Sequence, residues 1–172
     1  MRKVKIIEVI EAYEEDIEIL REDKKNSNRS KLIQRDMLML QFLRTVPADM
    51  YISCEGTFTG EAKLNAGSLT ECILNYHMEG DPEVKTIAKS GGLYDAKRGC
   101  VDVEIKLSVN GSCYNTPIKE PMLVYLVNRE GVFYIKKSDL EAVAPKGKLP
   151  FKSCEGLTMI KSLTKKMGYE IK

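Results

Sequence analysis

The chain lacks several features that mark common classes of protein and site. Its 172 residues contain no apolar run near the roughly 20 residues that a membrane-spanning helix needs. The five cysteines are an odd number without CxxC spacing, which argues against a disulfide framework and a cysteine-based zinc site. The single histidine, His77, argues against multi-histidine metal sites and most histidine-dependent triads. Any metal ion would therefore be held by carboxylates.

The bulk composition is typical of a globular protein, and no linker divides the sequence. We therefore expect a single domain over residues 1–172, large enough for a sizeable core. The net charge of +2 does not by itself indicate a nucleic-acid partner, although residues 136–172 contain nine lysines against four acidic residues. Residues 1–5 lead into acidic helical sequence rather than the apolar stretch of a signal peptide, so we expect a cytoplasmic protein without membrane contact.

Three helices are predicted before residue 80, over residues 4–23, 30–44 and 67–77. The spacing of apolar residues predicts two buried faces, which comprise Ile6, Ile10, Tyr13, Ile17 and Leu20 in the first helix and Leu32, Ile33, Met37, Leu40 and Leu43 in the second. The first helix could pair with a second copy of the chain, but its short length favours packing against its own domain. Residues 1–50 are thus expected to form a helical extension on a core formed by residues 51–172.

Beyond Pro82 the pattern changes from helical to strand periodicity, which favours a mixed α/β fold. The predicted strands cover residues 84–88, 93–96, 100–109, 122–128 and 132–136. Hairpin turns are predicted at residues 97–99 and 129–131. A last helix is predicted over residues 157–166.

The segment Asp102-Val103-Glu104-Ile105-Lys106 carries the pattern with the clearest chemical meaning. Side chains alternate across a strand, so two carboxylates and one ammonium share a face, about 7 Å between alternate residues. The apolar residues between them are expected to face the core. Carboxylate oxygens are the ligands that Mg²⁺ prefers, and a nearby lysine can orient or help activate water bound to the ion. The residue types fit a metal-dependent hydrolytic site, but the alternation alone supports only an edge strand with a polar side.

Glu104-Ile105-Lys106 resembles the ExK half of the PD-(D/E)xK nuclease signature, which occurs in restriction enzymes, junction resolvases and repair nucleases. Asp95 lies nine residues earlier, across a predicted turn, where that family places its aspartate. Glu71, on the third predicted helix, resembles the family's helical glutamate. The resemblance covers residues 67–136. One departure is that residues 108–121, with Gly111, Pro117 and Pro121, do not favour the helix that usually follows the ExK strand.

The resemblance implies a restriction-endonuclease-like fold, with a mixed central β-sheet flanked by helices. It also implies an endonuclease that uses Mg²⁺ (or Mn²⁺) to hydrolyse phosphodiester bonds in DNA, and a homodimer. By resemblance, the metal ligands would be Asp95, Glu104, Glu71 and the Ile105 carbonyl, and Lys106 would lie beside the attacking water. The alternative function is a non-catalytic module that retains this fold and binds nucleic acid or protein; a helical interaction protein whose carboxylates bind no metal also stays open.

Each candidate residue also has an ordinary structural explanation. Asp102, Glu104 and Lys106 could form the solvated face of an edge strand. Glu71 could belong to an S-x-x-E capping box with Ser68 at the start of the third helix. Asp95 could serve a turn, and Asp102 could replace it as a ligand if the strand register differs. His77 is expected to be a helix-end or surface residue rather than a catalyst.

Overall fold

The computed structural model describes residues 3–53, 66–78, 84–86, 95–109, 122–136, 138–139, 142 and 156–171. The helices are α1 (Ile6–Glu22), α2 (Arg29–Leu43), α3 (Ala66–Met78) and α4 (Lys161–Lys166). The strands are β1 (Lys3–Lys5), β2 (Tyr51–Ser53), β3 (Val84–Thr86), β4 (Ala96–Arg98), β5 (Val101–Leu107), β6 (Met122–Asn128), β7 (Gly131–Lys136) and β8 (Thr158–Met159). The chain is therefore mixed α/β, as predicted.

The chain divides into two compact units, residues 1–73 and 74–172, with the boundary inside α3. The sequence-based expectation of one domain, with residues 1–50 as an extension, stays a prediction.

The first unit contains α1, α2 and a two-stranded antiparallel sheet of β1 and β2. In α1, the predicted inward face is confirmed, because Ile6, Ile10, Tyr13, Ile17 and Leu20 are all buried. The prediction of a helix from residue 4 missed β1. Residues 3–5 pair instead with residues 51–53, a long-range contact that helical periodicity does not reveal.

The buried face of α2 differs from the predicted one. Met37 is 50% exposed, whereas Asp36 and Met39 are fully buried. The Asp36 carboxylate accepts hydrogen bonds from the Arg35 guanidinium, the shorter at 2.9 Å, which compensates its burial. Asp36 and burial together raise the pKa of Tyr13 on α1, burial being the larger cause. The prediction for Met37 was wrong because it assumed that no charged residue would lie on the inward face.

The second unit contains a six-stranded sheet in the order β3-β4-β5-β6-β7-β8. All neighbouring strands are antiparallel except β5 and β6, which are parallel. Parallel neighbours require a crossover connection. Here that connection falls within residues 108–121. Residues 110–121 lie outside the described residues, so the prediction that this segment does not favour a helix also falls outside them. β5 is the third of six strands, so the expectation of an edge strand is wrong.

The two predicted hairpins form, one of them with a shifted turn. The β6–β7 turn lies where it was predicted, and the Asn128 Oδ1 atom accepts the backbone amides of Glu130 (2.7 Å) and Gly131 (3.0 Å). The β4–β5 turn lies at Gly99 and Cys100, so Lys97 belongs to a strand and not to the turn. Gly99 has a φ of +57°, a conformation that favours glycine.

The predicted helix over residues 157–166 is confirmed only from Lys161 onward, because Thr158 and Met159 form β8 beside β7. α4 then packs on the start of β7. The Val132 amide donates to the Thr164 hydroxyl at 3.1 Å, and Gly131 lies directly against the Thr164 side chain.

Both faces of the sheet are apolar at β6, whose continuous hydrophobic sequence is typical of a strand covered on both sides. One face carries a buried cluster of Val124, Leu126, Phe133 and Ile135, against which Leu157 and Met159 pack. The opposite face buries Val103 and Ile105 of β5, as the alternation predicted. Across the described residues, none of the helices combines the length and apolarity that a bilayer crossing requires.

Candidate functional site

The polar row of β5 lies at the margin of the buried cluster. Glu104 is paired in register with Val124 of β6, so the two side chains share a face of the sheet. The Glu104 side chain is only 13% exposed and forms an ion pair with Lys106, which is 30% exposed. The apolar neighbour lowers the local dielectric and strengthens the electrostatic interactions of Glu104. This arrangement differs from the solvated strand face that was the ordinary explanation.

Asp95 directly precedes β4 and is tied to β5 at two points. Its backbone amide donates to the Val103 carbonyl at 2.9 Å, and its Oδ2 atom accepts the Ile105 amide at 2.7 Å. β4 pairs with residues 101–103 of β5. Just beyond this paired stretch, the Asp95 side chain is the hydrogen-bond acceptor for the backbone of β5. The β4–β5 turn itself lies at residues 99–100, and the Asp95 carboxylate bonds β5 rather than that turn.

The charges of the three predicted residues act on one another. Burial raises the pKa of Asp95, the hydrogen bond from the Ile105 amide opposes that rise, the Glu104 carboxylate adds to it, and the Lys106 ammonium opposes it. These interactions require Asp95, Glu104 and Lys106 to lie near one another. The structure thus brings together the three residues that the sequence singled out.

The Ile105 carbonyl points toward the same edge of β5 as the Asp95 carboxylate. In a strand, the N–H and C=O groups of one residue point to the same side, and the Ile105 N–H points to Asp95. Asp95 and the Ile105 carbonyl therefore lie on the β4 side of β5, next to Glu104 in the chain.

These donors fit an ion that the protein shares with its substrate. Mg²⁺ is usually bound by one or two carboxylates together with waters and substrate phosphates, rather than by an all-protein cage. Within the described parts of the chain, there is no group of three or more His, Cys, Asp or Glu side chains that could hold a metal ion. Asp95 and Glu104 are the two carboxylates here that could take part in a site of the first kind.

Asp102 is engaged elsewhere on the same face. It lies opposite Lys97 of β4, and its carboxylate is 3.6 Å from the Lys97 ammonium. The observed register places Asp95 and not Asp102 against Ile105, so the geometry favours Asp95 as the ligand. Lys97 was not among the predicted site residues because the predicted turn began two residues too early. Alignment of Lys97 with Asp102 as an opposite-charge pair would have corrected the register.

Glu71 lies on α3 in the first unit and is half-buried. The capping-box explanation is wrong, because α3 begins at Ala66 and the Thr70 hydroxyl already donates to the Ala66 carbonyl at 2.7 Å. Ser68 therefore lies inside the helix and not at its N-cap. The assignment of Glu71 to the metal site stays a prediction.

His77 lies in the last turn of α3, half-buried, with its ring centroid 5.4 Å from that of Tyr76. Burial, and to a smaller degree the charge of Lys166, lowers the pKa of His77 to about 4. The imidazole is therefore neutral at physiological pH.

No protein-family model, curated protein or solved structure matches the chain.

Proposed function

We propose that this chain is a metal-dependent nuclease that hydrolyses phosphodiester bonds in DNA, with Mg²⁺ or Mn²⁺ as its cofactor. The observation that carries the proposal is the convergence of the Asp95 and Glu104 carboxylates with the Lys106 ammonium at one β-hairpin. Two acids and a lysine at the margin of an apolar cluster are suited to metal-assisted hydrolysis. The raised pKa of Asp95 supports the proposal, because incompletely compensated burial of a carboxylate is typical of functional sites.

The proposal includes a restriction-endonuclease-like fold for the second unit. In that family a helix usually joins the ExK strand to the next strand, and such a crossover connects parallel strands. The strand that follows β5 in sequence is β6, its parallel neighbour. Asp95 directly precedes β4, the strand that forms a hairpin with β5, as in the family pattern.

Each residue has a distinct role in this proposal. Asp95 and Glu104 hold the ion through carboxylate oxygens, and the Ile105 carbonyl faces the same edge. The ion, when bound, polarises the phosphate and lowers the pKa of a coordinated water. Lys106, now paired with Glu104, lies where it can donate to that water or to a phosphate oxygen. The amide of Ile105 keeps Asp95 in its orientation.

The test is cleavage of supercoiled, linear and branched DNA in the presence of Mg²⁺ or Mn²⁺, with EDTA as the metal-free control. We expect Glu104→Gln and Lys106→Met each to lower the cleavage rate by about 10²-fold to 10³-fold, the usual loss when a group that stabilises charge is removed. Lys136→Ala is the control for a lysine change, because Lys136 is exposed and pairs with Leu123 on the opposite face of the sheet.

The outcomes separate the proposed function from its alternative. Activity that survives both Glu104→Gln and Lys106→Met would reject this site. A wild-type protein that binds DNA but cleaves none of the substrates would instead indicate a non-catalytic binding module with the same fold.

A further inference from the structure

The face of the sheet that carries Glu104 also carries a second lysine. Lys97 on β4 is paired in register with Asp102, so it shares the face of Asp102, Glu104 and Lys106. It lies two residues beyond Asp95 along the chain, a separation of about 7 Å in an extended strand. Lys106 lies two residues beyond Glu104 on β5, at a similar separation. The two acids are therefore flanked by one lysine on each strand.

The Lys97 side chain is accessible to solvent. It is 38% exposed, and its ammonium is 3.6 Å from the Asp102 carboxylate, longer than a charge-assisted hydrogen bond. A partly exposed pair of this kind contributes little to folding stability. Asp102 is 28% exposed and keeps the lysine on this face of the sheet without enclosing it.

A nucleic-acid strand presents a row of phosphates, and proteins hold it by contacts to phosphates on either side of the reacting one. If the reacting phosphate lay at Asp95, Glu104 and Lys106, the next phosphate of the same nucleic-acid strand would lie within reach of a cation about two residues farther along the β-strand. Lys97 is a cation at that separation, and its ion pair with Asp102 is longer and more exposed than the pair of Lys106 with Glu104.

We propose that Lys97 binds the phosphate next to the reacting one, and that Asp102 positions Lys97 for this contact. The inference rests on the proposed function, since it names how the same site holds its nucleic-acid substrate. Lys97 is a substrate-positioning residue here, and it takes no part in bond cleavage. Its contribution therefore belongs to binding affinity and not to the maximal rate.

The test begins with binding of labelled DNA in EDTA, where no cleavage occurs. We expect Lys97→Ala to weaken binding severalfold and to reduce the slope of log Kd against log salt concentration by about 1, as loss of one phosphate contact should. Lys97→Arg keeps the charge and should restore both quantities. Lys136→Ala, the exposed lysine on the opposite face, should leave them unchanged.

The second arm measures cleavage with Mg²⁺. Lys97→Ala should raise KM and leave kcat within about twofold of wild type, whereas Lys106→Met should lower kcat. Asp102→Asn should raise KM by less than Lys97→Ala does, because the lysine remains. Unchanged affinity and salt dependence of Lys97→Ala, or a fall in kcat alone, would overturn the inference.

The two proposals fail in different ways. A wild-type protein that binds DNA in a Lys97-dependent manner but does not cleave it would reject the nuclease proposal and leave the role of Lys97 in place. A wild-type protein that does not bind DNA at all would reject both.

Discussion

The Asp95 carboxylate accepts the backbone amide of Ile105 at 2.7 Å, across the hairpin formed by β4 and β5. Together with the backbone bond from the Asp95 amide to the Val103 carbonyl, this bond places a carboxylate beside the Glu104–Lys106 pair. Two properties of Asp95 can be tested independently. One is its charge, which burial and Glu104 disfavour. The other is its acceptor oxygen, which the buried Ile105 amide needs.

Replacement of Asp95 by asparagine should stabilise the metal-free protein at neutral pH. The folded-state pKa of Asp95 is raised, so its contribution to stability is present below the unfolded pKa and is lost as pH rises through the folded pKa. The asparagine side chain would keep an acceptor oxygen and remove the disfavoured charge. Urea unfolding of Asp95→Asn and wild type should show the difference at about pH 7, and the difference should vanish below about pH 4.

Asp95→Ala separates the acceptor oxygen from the charge. It should be less stable than Asp95→Asn by about 1–3 kcal/mol, because the buried Ile105 amide loses its partner. Equal stability of the two variants in urea unfolding would show that the hydrogen bond does not support the hairpin.

His77 should titrate with a pKa of about 4, well below the usual histidine value of 6.5. Because the chain has a single histidine, its imidazole proton resonance in a one-dimensional NMR titration needs no assignment. The lowered pKa means that the unfolded chain binds a proton between these two pH values and the folded chain does not. Folding stability should therefore fall as pH drops from about 6.5 to 4.

His77→Gln is the matched variant for this pH effect. It should lack the part of the pH dependence that comes from the imidazole. Lys166→Ala should raise the His77 pKa only in part, because the charge of Lys166 is the smaller of the two causes that lower it. A wild-type titration near 6.5 would contradict the burial of this ring.

Gly131→Ala should destabilise the second unit by about 1–3 kcal/mol, the usual cost of overpacking. Gly131 has a φ of +143°, and a methyl group there would collide with the Thr164 side chain of α4. Thermal unfolding of Gly131→Ala, Thr164→Ala and the double variant measures the coupling between them. The cost of Gly131→Ala should be smaller when Thr164 is replaced by alanine, since the two closest contacts, to Oγ1 and Cγ2 of Thr164, are then removed and only the contact to Cβ remains.

Gly99→Ala is the control for backbone strain alone. Gly99 has a φ of +57°, but among the described residues no atom beyond its own chain neighbours lies within 4 Å of the position its Cβ would take. The substitution should therefore cost about 1–2 kcal/mol, from the left-handed conformation only, and should show no coupling to Thr164.

Local patterns predicted those elements whose structure depends on local sequence. α1 and β6 lie where the periodicity placed them, because the apolar residues of each pattern found buried positions. The β6–β7 turn followed from its own short sequence. The convergence of Asp95 with Glu104 and Lys106 was also predictable, because all three belong to one hairpin.

Features that depend on distant partners could not be predicted in the same way. β1 exists because residues 51–53 pair with it, and β8 exists because β7 offers it a neighbouring edge. The inward position of Asp36 depends on its ion pair with Arg35. Lys97 was assigned to a turn because moving the hairpin turn by two residues keeps the same side chains on the apolar face of the strand.

The most direct test of the proposed site compares two acidic residues on one face of one strand. Glu104→Gln and Asp102→Asn each remove one negative charge from β5, two residues apart, and each removes an ion-pair partner of one lysine. Measured at saturating DNA with Mg²⁺, the cleavage rate of Glu104→Gln should fall by about 10²-fold or more, and that of Asp102→Asn should stay close to wild type. Equal losses in the two variants, or a larger loss in Asp102→Asn, would contradict the assignment of the site to Asp95, Glu104 and Lys106.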